Sequence, residues 1–172
     1  IEPTRPDSAR QEQNLQLSLA AALMTRLGYG ADEVGQAYYR AHDLSAQTGS
    51  MKAPLRSLLG LWVHTWVAGR LPESLSHGRA LLELAEKVDD PALRLQGHGG
   101  IGLVLLHSGG LDGARQHLEA GVALVGDAPP DTVSVQNAEV TCVAYSAWVA
   151  ALQGRTSAMH EHVAHCAALS ER

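Results

Sequence analysis

Nine histidines and two cysteines stand in a chain of 172 residues, and imidazole and thiolate are the donors that bind borderline metal ions and carry nucleophilic chemistry. They are densest towards the end of the chain, in His160-x-His162-x2-His165-Cys166. On a helix, His162 shares a face with His165 three residues on and with Cys166 four residues on, so either pair has chelating spacing. Cys142 and Cys166 each lie about 12 residues from Gly154. An antiparallel hairpin turning at that glycine would bring them level, which makes a Cys142–His162–Cys166 cluster conceivable. In the competing reading both cysteines fill the core and His160, His162 and His165 face water. Zinc sites ordinarily supply four closely spaced ligands, so no metal or other cofactor is predicted.

Catalytic pairings fare no better. Cys166 with His162 has the composition of a nucleophile and its base, but both fall on a regular helix without an oxyanion donor beside them. The paired acids Asp89-Asp90 precede Pro91 and read as a helix N-terminal cap. Only two lysines are present, Lys52 and Lys87, and neither follows a glycine loop. A phosphate-cradling Walker A segment is therefore missing. The sequence predicts a binding protein rather than an enzyme.

Composition narrows the scaffold that must position these groups. Hydrophobic residues make up 45% of the chain, yet aromatics only 4%, and Phe is absent. Ala and Leu must do the packing, and both are strong helix formers. Alternating β-branched residues are confined to Asp131–Val135. A net charge of −5 with thirteen dispersed basic residues offers no track for a nucleic-acid backbone. No apolar run approaches the roughly 18 residues needed to cross a bilayer. Ile1 to Arg10 is polar, carries two prolines and shows no signal-peptide pattern. Two cysteines make no disulfide framework, which points to a reducing cytoplasm. A first residue that is Ile rather than Met suggests an excised or processed fragment.

Internal periodicity decides the architecture. Gly28, Gly69, Gly109 and Gly154 each end an apolar-periodic segment, about 41, 40 and 45 residues apart, which is the spacing of paired-helix repeats. A left-handed glycine lets the chain reverse there without a Cβ clash. The predicted units span about 10–48, 52–88, 91–125 and 134–170, within a single domain covering 1–172. In the third, Gly102 and Gly121 fall mid-helix, where each costs about 1 kcal/mol relative to alanine. Close approach of a neighbouring helix would explain that cost. The segment Gly126–Asp131 is the longest loop and accounts for the wider last spacing.

The third unit also carries a signature. His98-x2-Ile101-Gly102-x2-Leu105-x3-Gly109-x4-Ala114-x3-Leu118-x2-Gly121 reproduces tetratricopeptide spacing with conservative size changes. The fourth matches more loosely, through Val143, Ser146, Ala147, Ala150, Gly154, Met159, Val163 and Cys166. The second places Trp62 where the small residue belongs, which predicts a splayed pair. The fold expected is an all-α, TPR-like right-handed α-solenoid of about four antiparallel helix pairs. Beyond the repeat itself, Leu15–Met24, Gly60–His64, Asp90–Leu93 and Gly109–Gly121 resemble the C-terminal repeat region of bacterial signalling ATPases. Those proteins are linked to nucleotide cyclases or are LuxR- and maltose-activator-type regulators. The resemblance implies a cytoplasmic regulatory or scaffolding arm that binds a protein, a peptide or a small-molecule inducer.

In such a stack the first helix of each pair lines the binding face. By repeat position Arg56, Val63, Trp66, Gln96, Leu103, Thr141, Tyr145 and Trp148 should point there. Trp and Arg dominate binding energy at interfaces, although Trp62, Trp66 and Trp148 are equally well read as core. Homodimerisation through the last helix pair is the alternative use, because Met159, Val163, Ala167 and Leu169 have nothing after them to cover them.

Overall fold

The computed structural model describes residues 6–50, 52–126 and 137–171. The Asp131–Val135 stretch, most of the Gly126–Asp131 loop and the start of the predicted fourth unit lie outside them. The described residues form eight helices and no strand. They are α1 (Pro6–Leu27), α2 (Asp32–Ser45), α3 (Leu55–Val67), α4 (Leu71–Lys87), α5 (Pro91–His107), α6 (Leu111–Val122), α7 (Ala138–Leu152) and α8 (Thr156–Ser170). Successive helices pack as hairpins, α1 with α2, α3 with α4, α5 with α6 and α7 with α8. The chain divides into two compact units, Ile1–Val88 and Asp89–Arg172.

The four marker glycines close the first helix of every pair. Gly28, Gly69, Gly109 and Gly154 have φ of 87°, 75°, 79° and 70°. An added Cβ would meet nothing within 4 Å at any of them, so backbone conformation, not space, selects glycine. The residue after three of these glycines donates back five residues: Arg70 N to Thr65 O, Gly110 N to Leu105 O, and Arg155 N to Ala150 O. Those are Schellman closures, which satisfy carbonyls the helix end would leave bare. Helix starts are capped less regularly. Asp90 accepts from the Ala92 and Leu93 amides at the head of α5, and Asn137 from Glu139 and Val140 at the head of α7.

Inside the units, a second set of glycines admits side chains from neighbouring helices. In the first unit the exchange is reciprocal. A Cβ at Gly35 of α2 would overlap the His64 ring of α3, and a Cβ at Gly60 of α3 would overlap the Tyr38 ring of α2. His64 is 1% exposed. Its Nδ1–H donates to Tyr29 O at 2.9 Å, which leaves Nε2 to accept from the Arg70 guanidinium. At Trp62, where the second pair was expected to splay, a hydrogen bond links α4 to α3. Ser74 of α4, fully buried, donates to the Trp62 backbone carbonyl at 3.0 Å, which satisfies the hydroxyl inside the pair.

A polar seam follows this contact. His42 Nδ1 lies 3.2 Å from Ser57 Oγ, and Tyr39 donates to Glu73 at 3.2 Å. The His77 ring lies 6.1 Å from that of Tyr39. Half-burial, then the charges of His42, Arg70 and His64, lower the His77 pKa against the opposing pull of Glu73. His77 Nε2 is buried with no hydrogen-bond partner among the described residues.

In the second unit, α5 and α6 meet where Gly102 receives Leu118, whose Cγ would stand 2.5 Å from an added Cβ. Helix α7 then lays Ala138, Cys142, Tyr145 and Val149 against that pair. Cys142 Sγ occupies the notch between Gly99 and Gly121 and contacts Leu95 O at 3.8 Å. Ala138 and Cys142 pack with Leu95, and Val149 packs with Leu106, Ala114 and Leu118. Burial pushes the Cys142 thiol up to about 12, so it stays protonated and acts as an apolar filler.

Two outcomes follow from this packing. Gly121→Ala forces a Cβ onto a short, enclosed thiol that cannot swing aside. It should lower stability by about 1–3 kcal/mol in urea unfolding, despite alanine's better helix propensity, and Cys142→Ala on that background should restore part of the loss. The second concerns acid. Because folded His77 holds its proton more weakly than the unfolded chain, stability present above the ordinary histidine pKa of 6.5 is lost as pH falls through it. Urea midpoints between pH 7.5 and 5 should decline, and His77→Gln should flatten that decline.

Candidate binding surface

The histidine–cysteine constellation near the end of the chain does not assemble. Positions 138, 142, 145 and 149 of α7 face α5 and α6, whereas Val140, Ala144 and Ala147 lie on the other side of the same helix. Cys166 belongs to that other side. With Val140, Ala144, Ala147, Val163 and Ala167 it lines an open apolar groove of about 350 Å³ between α7 and α8. Helical rotation thus separates Cys142 from Cys166, although both are level with respect to Gly154. Among the described residues no three of His, Cys, Asp and Glu gather as a ligand set. His162 is partly buried, and that burial, ahead of the opposing charges of Glu119 and Glu161, lowers its pKa.

The eight residues assigned to a binding face fall into two groups, one in each unit. In the first unit Arg56, Val63 and Trp66 recur at helical spacing along α3. Arg56 is exposed, and Val63 and Trp66 are partly buried. Trp66 stacks on Trp62 with ring centroids 6.3 Å apart and planes 6° apart. Trp62 itself is core, 7% exposed, and its Nε1 is buried without an acceptor among the described residues. Arg56 lies close enough to Tyr38 to oppose the rise that burial, and secondarily Tyr29, gives that phenol's pKa. Val67, at the end of α3, adds an exposed apolar side chain.

In the second unit the assignments separate by depth. Leu103 is fully buried and Gln96 nearly so. Both sit among the inward positions of α5, which is apolar on most of its circumference, so neither presents a surface to a partner. Thr141, Tyr145 and Trp148 lie on one stripe of α7, and Leu152 continues it one turn further. The Thr141 hydroxyl donates to Asn137 O at 3.0 Å. Tyr145 is partly buried and packs against the Leu106, Ala114, Leu118 and Val149 cluster, which fixes its ring. Trp148 stacks on Tyr145 at 5.8 Å and 21°. It nevertheless remains 48% exposed, and Leu152 is 54% exposed.

His107 completes the patch from the last turn of α5. Its ring meets the Trp148 indole edge-on at 6.2 Å and 81°. Nδ1–H donates to Leu103 O at 2.8 Å, which orients the ring and places the proton on that nitrogen. Sequence reasoning missed His107 and Leu152. Leu152 was accessible from the four-residue step after Trp148. His107 was not, because its role depends on how α5 lies against α7.

These features give a surface suited to holding an apolar group in one orientation. A ring stack anchored at Tyr145 offers a flat apolar face at Trp148, with a polar edge at His107 and an aliphatic side chain at Leu152. Among the described residues no helix is long and apolar enough to cross a membrane.

No protein-family model matches the chain, and no curated protein matches it. Among solved structures it is similar to the apo form of RapI, with a TM-score of 0.81 and 11% identity. The likeness covers 94% of this chain and 56% of RapI, so the chain spans little more than half of that protein's length. RapI is a TPR-like helical repeat protein, and at this identity the likeness is one of fold. The chain thus has an all-helical fold of the TPR-like repeat class.

Proposed function

We propose that the chain is a regulatory binding module of a bacterial signalling ATPase or transcription regulator, acting in the cytoplasm without turnover of its own. The protein, peptide or small-molecule inducer it recognises docks on the exposed face of α7. The observation that carries this reading is the half-exposed Trp148, held by Tyr145 beneath it and His107 at its edge. A preordered indole standing half in water leaves apolar area for an incoming group to cover. A rigid aromatic also loses little conformational freedom on binding. Tryptophan is the residue type on which interface energies most often concentrate. RapI having been solved as an apo form fits a ligand-binding role for such repeats. The resemblance of Gly109–Gly121 and its companion stretches to the repeat arms of signalling ATPases supports the parent class.

A second copy of the chain is the alternative partner. The groove between α7 and α8 and the 53% exposed Val163 beside it favour that reading. Light scattering separates the two, since Val163→Glu would abolish a dimer built on that groove and leave peptide capture intact.

The direct test is selection of a displayed peptide library on the immobilised chain, repeated on Trp148→Ala. Sequences enriched on the native chain should lose at least about 2 kcal/mol of affinity on the variant, the loss typical of an interface hot spot. Equal enrichment on both would remove the α7 face from the account.

A further inference from the structure

The open groove between α7 and α8 has a counterpart in the same unit that is already filled. Its lining is Val140, Ala144, Ala147, Val163, Cys166 and Ala167. Forty-five residues earlier, which is the step from Gly109 to Gly154, stand Leu95, Gly99, Gly102, Leu118, Gly121 and Val122. Those residues build the seat of α7. Leu95 and Val122 pack with Ala138 and Cys142, and Leu118 packs with Val149. Gly99 and Gly121 admit Cys142, and Gly102 lets Leu118 settle between α5 and α6. Among the described residues, each one lining the open groove thus repeats one that builds the filled seat. We propose that the α7–α8 groove is a seat for an amphipathic α-helix supplied by another protein.

The face such a helix must present follows from the filled seat, which the groove continues by one repeat. Helix α7 enters its seat through Ala138, Cys142, Tyr145 and Val149, at i, i+4, i+7 and i+11. That is a single apolar stripe of a helix. The open groove offers aliphatic side chains and one thiol, so a charge on the entering stripe would lose its water without gaining a partner.

The two seats differ at the floor. Ala144 and Cys166 stand where the filled seat has Gly99 and Gly121. Those glycines leave the room that Cys142 takes, since an added Cβ would stand 3.1 Å from its Sγ at Gly99 and 2.4 Å at Gly121. With side chains at both positions, the same approach of helices leaves no space for a thiol-sized group at that level. The entering helix therefore carries glycine or alanine where α7 carries Cys142.

A second copy of this chain lacks a helix to match. The helices that stand first in their pairs, as α7 does, are α1, α3 and α5, and counting back from their marker glycines gives the stripe each would present. On α3 it is Ala53, Ser57, Gly60 and His64, where Gly60 and His64 already interlock with Tyr38 and Gly35 of α2. On α5 it includes Gly97, Gly100 and Val104, all buried. On α1 it is Glu12, Gln16, Leu19 and Leu23, polar over its first half, with Glu12 paired to Arg40. The stripe of α7 itself is spent on α5 and α6. The occupant is thus a helix of different sequence, held by the helix-in-groove mode.

The test uses a designed peptide as long as α7. It keeps the Ala138, Tyr145 and Val149 side chains at their spacing, with alanine at the Cys142 level and Glu and Lys elsewhere. Added to the native chain carrying methyl-labelled valine, it should shift the Val140 and Val163 signals and leave that of Val34, buried in the first unit, unmoved. A second peptide with leucine at the Cys142 level should bind at least about tenfold more weakly, because it overfills the floor. Val163→Glu changes a side chain that is 53% exposed. It should weaken the alanine peptide by at least about tenfold, by setting a charge against the apolar stripe. Leu15→Glu, on α1, should leave binding unchanged. Equal affinity of the two peptides would overturn the proposal. So would undiminished binding to Val163→Glu, or no response at millimolar peptide. Light scattering that shows a dimer, abolished by Val163→Glu, would give the groove to a second copy and overturn it as well. A partner confined to the Trp148 face would leave the Val163 methyls unmoved, so the two surfaces fail or stand separately. The pair of peptides decides the matter on the native chain even if a variant fails to fold.

Discussion

Helix-to-helix distance is the quantity on which this molecule depends, and glycine sets it. A glycine inside a helix costs about 1 kcal/mol relative to alanine, and the chain accepts that cost at Gly35, Gly60, Gly99, Gly102 and Gly121. At each, a side chain from an adjoining helix fills the missing Cβ volume: His64, Tyr38, Cys142, Leu118 and Cys142 again. The aromatic-poor composition makes this economical. Alanine and leucine cores gain from close approach, because dispersion contacts fall away steeply with a gap of even half an ångström. The notches also give each unit a register, since Tyr38 and His64 can interlock only when Gly60 and Gly35 face them together.

The same constraint places the chemistry. Cys142 is drawn into the Gly99–Gly121 notch, which removes it from any partnership with Cys166 and raises its pKa beyond reactive use. Rotating α7 so that positions 138, 142, 145 and 149 face inward leaves the stripe at 141, 148 and 152 outward, with Tyr145 bridging the two. Trp148 is exposed for that reason, and Tyr145 holds it by being anchored underneath. In the first unit the notch at Gly35 has a different result. It encloses an imidazole between a carbonyl and a guanidinium, so a polar side chain with both nitrogens satisfied does the work of an apolar one.

Much of this was legible in the sequence, and for identifiable reasons. Gly28, Gly69, Gly109 and Gly154 mark chain reversals because the left-handed conformation is local, so one residue type reports it. The mid-helix placement of Gly102 and Gly121 announced close packing, which their contacts with Leu118 and Cys142 bear out. Side-chain depth was less legible. Leu103 and Gln96 share a repeat position with exposed residues of other units, yet lie on a helix buried around most of its girth. A repeat position fixes the direction of a side chain and not what covers it. What meets α3 at Trp62 was not legible either, since Ser74, which donates to the Trp62 carbonyl, lies twelve residues away on another helix.

The central claim is that the outward face of α7, and not the Trp62–Trp66 stack of α3, receives the partner. Fluorine NMR of the chain labelled with 5-fluorotryptophan tests it directly, because three tryptophans give three assignable lines. Titrated with a peptide selected on the native chain, the Trp148 line should shift and broaden while the Trp62 line stays fixed. Movement of the Trp62 and Trp66 lines with Trp148 unchanged would contradict the account.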